Sequence, residues 1–241
     1  MNREPAARAA VPPALPAPTT VSEVVSHLQG VCEQAPPGDP ALPFASMYLR
    51  MTKAIADALA DGTFTDAEYV SRLDVVFAEY FLGARSGRRP APRCWRVLFD
   101  AGEPSAHGFR HALAGMNAHI NFDLALSVLD TCQERGTDPE DDSRLHRDYL
   151  AVNGVIAATF DAVKGELVGG TLAAADRALG EVDDAAGIWS IERARDAAWV
   201  RAQLLYQVRS LPTLQRAYVA SHDRAVALIG RALLALPDLP G

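Results

Sequence analysis

Helical spacing of apolar residues recurs along nearly the whole chain, and this feature most limits what the chain can fold into. In the stretch 21–33 the apolar side chains lie three or four positions apart, at Val21, Val24, Val25, Leu28 and Val31. That spacing places them on one face of an α-helix. The alternation of β-branched residues that is typical of strands does not appear. The sequence therefore predicts an all-α fold, a single bundle of roughly seven to nine helices.

Turn and capping residues divide the chain into helices. Thr65-Asp-Ala-Glu68 matches a capping box, and Asp138-Pro139 matches an N-cap followed by proline at the first helical position. Leu211-Pro212 interrupts the pattern near the end. The predicted helices cover about 21–33, 44–60, 65–84, 94–100, 105–136, 138–164, 171–179, 183–209 and 212–236.

The first residues differ in composition from the rest. Residues 1–19 are rich in alanine and proline, which predicts a disordered leader followed by a single helical domain over 20–241. The prolines interrupt the apolar run that a signal peptide would need. No stretch approaches ~18 uninterrupted apolar residues, the length of a membrane span. We therefore expect a cytoplasmic protein that does not contact membranes.

Charge and cysteine content exclude several functional classes. Of 241 residues 49% are hydrophobic, enough for a sizeable core, and the net charge is −7. This charge argues against a nucleic-acid binder, which would present a basic face. The positive residues are scattered, and the short run 85–90 is predicted to be a solvated turn. Cys32, Cys94 and Cys132 form no CxxC pair and are expected to be reduced core or near-surface residues.

Residues 111–124, HALAGMNAHINFDL, stand out because polar side chains interrupt an otherwise apolar helix. At about 100° per residue, one stripe of this helix holds His111, Gly115, His119, Phe122, Asp123 and Leu126. Asn117 and Asn121 fall on a second stripe, with Met116 and Ile120 between the two. A helix with apolar groups on nearly all sides is usually central in a bundle. Its buried polar groups then need partners, at about 1–3 kcal/mol for each one left unpaired.

Our leading hypothesis is a helical protein that handles a small molecule, with its pocket on helix 105–134. His119 would act as general acid or base, oriented by Asp123, four residues away. His111, Asn117 and Asn121 would position a polar substrate. A hydrolase and a tailoring enzyme of secondary metabolism both fit this chemistry. The expected partner is a small-molecule ligand, and the sequence leaves the oligomeric state open.

Two alternatives remain. The same polar residues could form a buried network in a non-catalytic helical module. They could also form a metal-dependent hydrolase, because His119 and Asp123 at i and i+4 can share one ion. A divalent metal is not favoured, because nothing selects its other ligands among Asp74, His146, Glu192, Asp196 and His222. His111 lies about 12 Å from His119 along the axis, and asparagine is a weak zinc ligand.

Further candidates for substrate binding lie on apolar faces. Gly115 costs about 1 kcal/mol relative to alanine within a helix, so it indicates either a tight helix crossing or room for a ligand. Asp74 borders the apolar face of its helix and needs a partner. Arg195 lies near Trp199, where it could stack on the ring or bind an anionic group. Thr52 is expected to bond back to its own helix.

Three stretches resemble one family of proteins. GMNAHINFDL (115–124), FAEYF (77–81) and ARDAAW (194–199) resemble an uncharacterised helical domain family found mainly in actinobacteria. The resemblance would cover about residues 40–236. It implies a single helical domain and draws attention to 111–123, but it implies no activity or substrate.

Overall fold

The computed structural model describes residues 16–104, 108–167 and 191–236, without the side chains of 160–167. In chain order the elements are α1 (Val21–Gln34), α2 (Leu42–Ala60), α3 (Ala67–Ser86), α4 (Arg93–Phe99), α5 (Phe109–Ala118), a π-helical turn (His119–Asp123), α6 (Leu124–Arg135), α7 (Arg144–Leu167), α8 (Ile191–Gln207) and α9 (Pro212–Leu234). These ranges contain no strand, which confirms the all-α prediction. With 109–135 counted as one continuous helix, the described part holds eight helices. None of them combines the length and apolar character needed to cross a membrane.

Local chemistry accounts for several helix ends. The Thr20 side chain accepts a hydrogen bond from the backbone N–H of Glu23 and so caps α1. α3 ends at Gly87 and α6 at Gly136, with φ of 77° and 66°, a left-handed conformation that glycine adopts without strain. α9 begins at Pro212, whose missing N–H would have had no helical partner there.

The predicted N-cap of α3 is wrong by one residue. The N-cap is Asp66, whose side chain accepts from the backbone N–H of Tyr69, and not Thr65. The carboxylate of Asp148, on α7, accepts from the backbone N–H groups of Thr65 and Asp66 instead. A hydrogen-bond acceptor from a distant part of the chain, Asp148, therefore binds backbone groups where a local capping box was expected.

The predicted start of α7 is also wrong. The helix begins at Arg144, not after Asp138, and the hydroxyl of Ser143 accepts from the backbone N–H of His146 at 3.0 Å. Asp142 has a φ of 55°, which is incompatible with a continuous helix through this position. Ser143 therefore serves as the N-cap.

Other predicted boundaries fall partly outside the described residues. The expected helix 171–179 and the expected helix starts at 105 and 183 lie there, as does most of the leader, residues 1–15. At the described end of the leader, Pro18 is buried. The hydroxyl of Thr19 donates to Glu23 at 2.7 Å, so this residue belongs to the start of α1.

The run 85–90 is only in part the solvated turn that was expected, since 87–90 lie outside the helix but two of its arginines are paired. Arg85 forms a salt bridge with Asp39, and Arg88 forms one with Glu79 at 2.6 Å. Both arginine side chains are largely buried, at 23% and 21% exposure. α3 continues to residue 86, which brings these arginines beside carboxylates that the sequence alone does not connect to them.

Two groups of buried apolar side chains form the core, and helix 109–135 passes through both. The first group contains residues of α1, α2, α3, α4, α5 and α9. Its largest members include Phe44, Phe81 and Trp95. The second group contains residues of α2, α3, α6, α7 and α8, packed around Tyr149 and Trp199. The π-helical turn lies where the two groups meet, so it is enclosed on several sides.

Gly115 provides a test of this packing. A Cβ at this position would lie 2.4 Å from Cγ of Phe44, so α2 crosses α5 too closely for any side chain. Gly115→Ala should destabilise the protein by about 2–3 kcal/mol, despite a gain of about 1 kcal/mol in helix propensity. Equilibrium unfolding in urea measures the difference.

The matched control is Gly30→Ala in the middle of α1, where the nearest atom to a new Cβ is Nε2 of Gln34 at 3.7 Å. That change should leave stability unchanged or raise it by about 0.5–1 kcal/mol. Equal effects at both positions would contradict the tight crossing.

Candidate functional site

The helix 109–135 changes its hydrogen-bonding pattern at its centre. Over His119–Asp123 it is π-helical, and the backbone N–H of Leu124 donates to the carbonyl of His119, five residues earlier. Such single π turns are frequent at functional sites. Asp123 lies beside His119, as it would in a regular α-helix, whereas the extra residue turns Phe122 away, toward Val219 and His222 of α9. The single stripe predicted from regular α-helical spacing is therefore split between two faces.

Side chains bind two carbonyl groups of this turn. The hydroxyl of Ser127 donates to the carbonyl of Asp123 at 2.9 Å. Nε2 of His222 lies 2.6 Å from the carbonyl of Asn121. Burial lowers the pKa of His222, which favours a neutral ring with its proton on Nε2, donated to that carbonyl. These bonds stabilise the irregular turn.

Asp123 fixes the orientation of the His119 ring. Its Oδ2 accepts a hydrogen bond from Nε1 of Trp95 at 2.8 Å and lies 3.0 Å from Nδ1 of His119. An indole N–H can only donate, so this oxygen acts as an acceptor. With Nδ1–H of His119 donating to the same oxygen, Nε2 of the imidazole keeps its lone pair.

The surroundings of His119 disfavour its charged form. The residue is 2% exposed. The ring of Phe77 stacks on it with centroids 3.5 Å apart, and the ring of Tyr48 approaches edge-on at 4.5 Å. Burial lowers the pKa of His119 well below its usual range. Burial also raises the pKa of Asp123, against which the Trp95 hydrogen bond acts. His119 is therefore a neutral imidazole at neutral pH.

A cavity of about 100 Å³ adjoins this ring. Its apolar walls come from α2, α3, α6 and α7 and include Met47, Ile55, Val70, Leu73, Phe77 and Val152. Its polar lining consists of Tyr48, Thr52, Asp74, His119 and Arg195. An apolar cavity of about 150 Å³ can bind benzene, so this smaller one suits a compact molecule of at most about six heavy atoms.

Four polar atoms of the cavity lining form no hydrogen bond of normal geometry with the described residues, although the Thr52 hydroxyl is close enough to that of Tyr48 to act on its pKa. They are the Tyr48 hydroxyl, Thr52 Oγ1, Asp74 Oδ2 and His119 Nε2, and all four are buried. Leaving a buried polar group unpaired costs about 1–3 kcal/mol. Their concentration in one small space indicates a site for a molecule with complementary donors and acceptors.

Asp74 adds a group that titrates near neutrality. Its side chain points from α3 into an apolar environment, and burial raises the pKa of Asp74 to about 7. Phe77, one turn further along α3, stacks on His119. The cavity therefore combines a carboxyl group that can gain or lose a proton near pH 7 with a neutral imidazole.

Of the two candidates on α8, one reaches the cavity. Arg195 lines it, but Nη2 donates to the carbonyl of Tyr149 at 2.8 Å and Nε donates to Oδ1 of Asn153. The guanidinium also lies 4.4 Å from the centre of the Tyr149 ring. Trp199 is not in the lining, because its indole packs on His146 and donates to Asp141 at 3.0 Å.

The other candidates on helix 109–135 lie elsewhere. Nε2 of His111 is hydrogen-bonded to the carbonyl of Gly102 at 2.9 Å. Asn121 donates to Oδ1 of Asn117, and Asn117 donates to the carbonyl of Val226 at 2.9 Å, so this pair links α5 to α9. These three side chains bond to the protein itself and do not line the cavity, and their predicted role in positioning a substrate stays a prediction. Gly115 lies at a helix crossing.

For the alternative of a metal-dependent hydrolase, the described residues supply no set of metal ligands. Among the described side chains, those of 16–104, 108–159 and 191–236, no three of His, Cys, Asp or Glu are grouped closely enough to hold a metal ion. His119 and Asp123 bond to each other through Nδ1 and Oδ2.

Several residues of the site were not identified from the sequence. Tyr48 and Trp95 carry no motif. Ser127 was not considered, and His222 was considered only as a possible metal ligand; both bond to backbone carbonyls of the π turn. Thr52 gave a signal, a hydroxyl on an apolar face. The expected bond to its own helix is absent, since Oγ1 has no partner among the described residues.

Fold and site together define an all-helical protein with acid–base groups around a small apolar cavity. The model of a family of unknown function, DUF5995, matches residues 21–236. The chain belongs to this family, and the resemblance to an uncharacterised helical family is confirmed over a range that also includes α1. Neither the curated proteins nor the solved structures contain a match to this chain.

The raised pKa of Asp74 predicts how stability depends on pH. The folded protein holds this proton up to about pH 7, whereas an unfolded aspartate releases it near pH 4. Asp74 therefore lowers stability progressively as pH rises between these values. Asp74→Asn should be more stable than wild type at pH 8, by on the order of 2–4 kcal/mol, and much closer to wild type at pH 4.5.

Urea unfolding at the two pH values measures this difference. Asp57→Asn, an exposed position on α2, is the control and should change stability little at either pH. A pH-independent effect of Asp74→Asn would show that the carboxyl group is ionised throughout.

The hydrogen bond from His222 to the π turn can be tested separately. His222→Leu leaves the carbonyl of Asn121 without its donor and should cost about 1–3 kcal/mol. His222→Gln supplies an amide donor of similar reach and should recover part of the loss. Equilibrium unfolding at pH 7.5 compares the three proteins, and equal stability of all three would exclude a contribution from this bond.

Proposed function

We propose that this protein binds a small, mostly apolar molecule bearing one or two polar groups and transforms it by acid–base chemistry. The observation that carries the proposal is the set of unpartnered buried atoms in one apolar cavity: Tyr48 hydroxyl, Thr52 Oγ1, Asp74 Oδ2 and His119 Nε2. Such a mixture of apolar walls and a few convergent polar groups is typical of small-molecule sites.

Asp74 and His119 would have different roles in acid–base chemistry. Asp74, with a pKa of about 7, matches the pKa at which a general acid or base is most effective at neutral pH. His119, held by Asp123 and Trp95, would accept a hydrogen bond or a proton through Nε2. The hydroxyl groups of Tyr48 and Thr52 would position a carbonyl or hydroxyl group of the substrate.

The acid–base pair suits proton transfer or the addition and removal of water at a carbonyl or hydroxyl carbon. Hydrolysis belongs to this chemistry, and so does the tailoring of a secondary metabolite. The space of about 100 Å³ favours a compact substrate, or the compact end of a longer one.

A second candidate is a non-catalytic module in which the same residues are structural. The aromatic enclosure of His119, with Phe77 stacked at 3.5 Å and Tyr48 at 4.5 Å, favours it. A buried network contributes to stability through every bond. This interpretation explains the Trp95–Asp123–His119 bonds and leaves the unpartnered atoms around the cavity unexplained.

We propose a cytoplasmic location, and the cysteines support it. Its three cysteines are all unpaired, and Cys94 and Cys132 are buried. Unpaired cysteines are typical of a reducing compartment.

Binding of small ring compounds tests the proposal. Cyclopentanol, cyclopentanone and cyclopentane have the same ring and differ in their polar group. We expect the alcohol and the ketone to bind at least about fivefold more tightly than the hydrocarbon, because they pair atoms that otherwise remain unsatisfied. Titrations followed by ¹⁵N-histidine NMR should show movement of the His119 Nε2 resonance.

His119→Gln and Ile55→Val are the matched variants. Gln keeps a donor for Asp123 but removes the imidazole, so the preference for the polar rings should be lost. Ile55→Val changes only the apolar wall and should keep that preference. Equal affinity of wild type for all three compounds, or no binding of any, would favour the structural module.

A further inference from the structure

The structure assigns a second ligand site, separate from the cavity, to a groove between α4 and α9. The groove has a volume of about 490 Å³. Four arginines line it: Arg93 and Arg96 from α4, Arg224 and Arg231 from α9. Its apolar floor includes Val97, Ala227 and Leu234. We propose that it binds a small free molecule carrying two or more linked phosphates.

The four guanidinium groups have little charge compensation. Asp100 is the one carboxylate among the described lining residues. In the described part of the chain, none of the four side chains forms a salt bridge. Asp223, directly before Arg224, accepts from the backbone N–H groups of Arg93 and Cys94 at 3.0 and 2.9 Å. Its carboxylate is therefore committed to the start of α4.

Neighbouring like charges on a helix are destabilising. Arg93 and Arg96 are three residues apart on α4, and they face two more arginines across the groove. The chain as a whole has a net charge of −7, so this concentration of positive charge runs against its composition. A bound anion would remove the repulsion.

The chemistry of arginine points to phosphate. The planar guanidinium donates paired hydrogen bonds that match phosphate oxygens. Two helices contribute two arginines each, which suits a ligand with linked phosphates better than a single anion. The negative charge of the remaining protein opposes a long polyanion or an anionic membrane, which favours a small ligand.

The experiment uses inorganic pyrophosphate as the probe, with the full chain in a phosphate-free buffer of low ionic strength. Isothermal titration calorimetry should detect binding to wild type. Arg96→Gln/Arg231→Gln should weaken it at least tenfold. Arg209→Gln/Arg216→Gln removes the same charge from exposed arginines outside the groove and should change affinity less than twofold.

Salt and vesicles provide two further measurements. Raising sodium chloride from about 0.05 to about 0.5 M should weaken binding strongly, because exposed charges are screened. Failure of wild type to bind pyrophosphate, or equal losses in both double variants, would overturn the proposal. Wild type that binds vesicles containing a phosphorylated inositol lipid, but not pyrophosphate, would overturn it in favour of a membrane surface.

Discussion

The buried carboxylate of Asp123 is the interaction on which the centre of this protein depends. Its Oδ2 accepts a hydrogen bond from Nε1 of Trp95, on α4, and is within hydrogen-bond distance of Nδ1 of His119, at the start of the π turn. A carboxylate removed from water is costly unless hydrogen bonds compensate it. Asp123 therefore fixes the position of α4, the form of the turn and the orientation of the imidazole at once.

The π turn explains why the two sides of helix 109–135 serve different purposes. Before the turn, Asn117 bonds to α9 and Gly115 admits the ring of Phe44. Within the turn, His119 faces the cavity while the carbonyl of Asn121 is bound by His222. A regular α-helix would have kept His119 and Phe122 on one stripe. The irregular turn separates them, and the surrounding side chains offset its cost.

The cavity and the groove differ in physical character. In the cavity, low polarity shifts the pKa of Asp74 upward to about 7 and that of His119 downward, so the charged form of each group is disfavoured. In the groove, four exposed arginines surround an apolar floor. The first environment suits proton transfer on a compact molecule, and the second suits recognition of an anion.

The sequence by itself determined the all-α fold and drew attention to the stretch 111–124. Apolar spacing specifies which face of each helix is buried, and glycine at 87 and 136 specifies where two helices end, because these are local properties of the chain. The pairing of His119 with Asp123 was also predictable, since both the α-helix and the π turn keep residues four apart in contact. Family membership agrees with this local information.

Tertiary structure alone decided what the polar residues contact. Trp95, Tyr48, Thr52 and Asp74 join His119 from three other helices, and no local pattern encodes which helices become neighbours. For the same reason Asn117 and Asn121 were expected near a substrate but bond to each other and to α9. The bonds from the backbone N–H groups before α3 to Asp148 and the clustering of four scattered arginines have the same origin. Periodicity determines that a face is buried, whereas packing determines what that face meets.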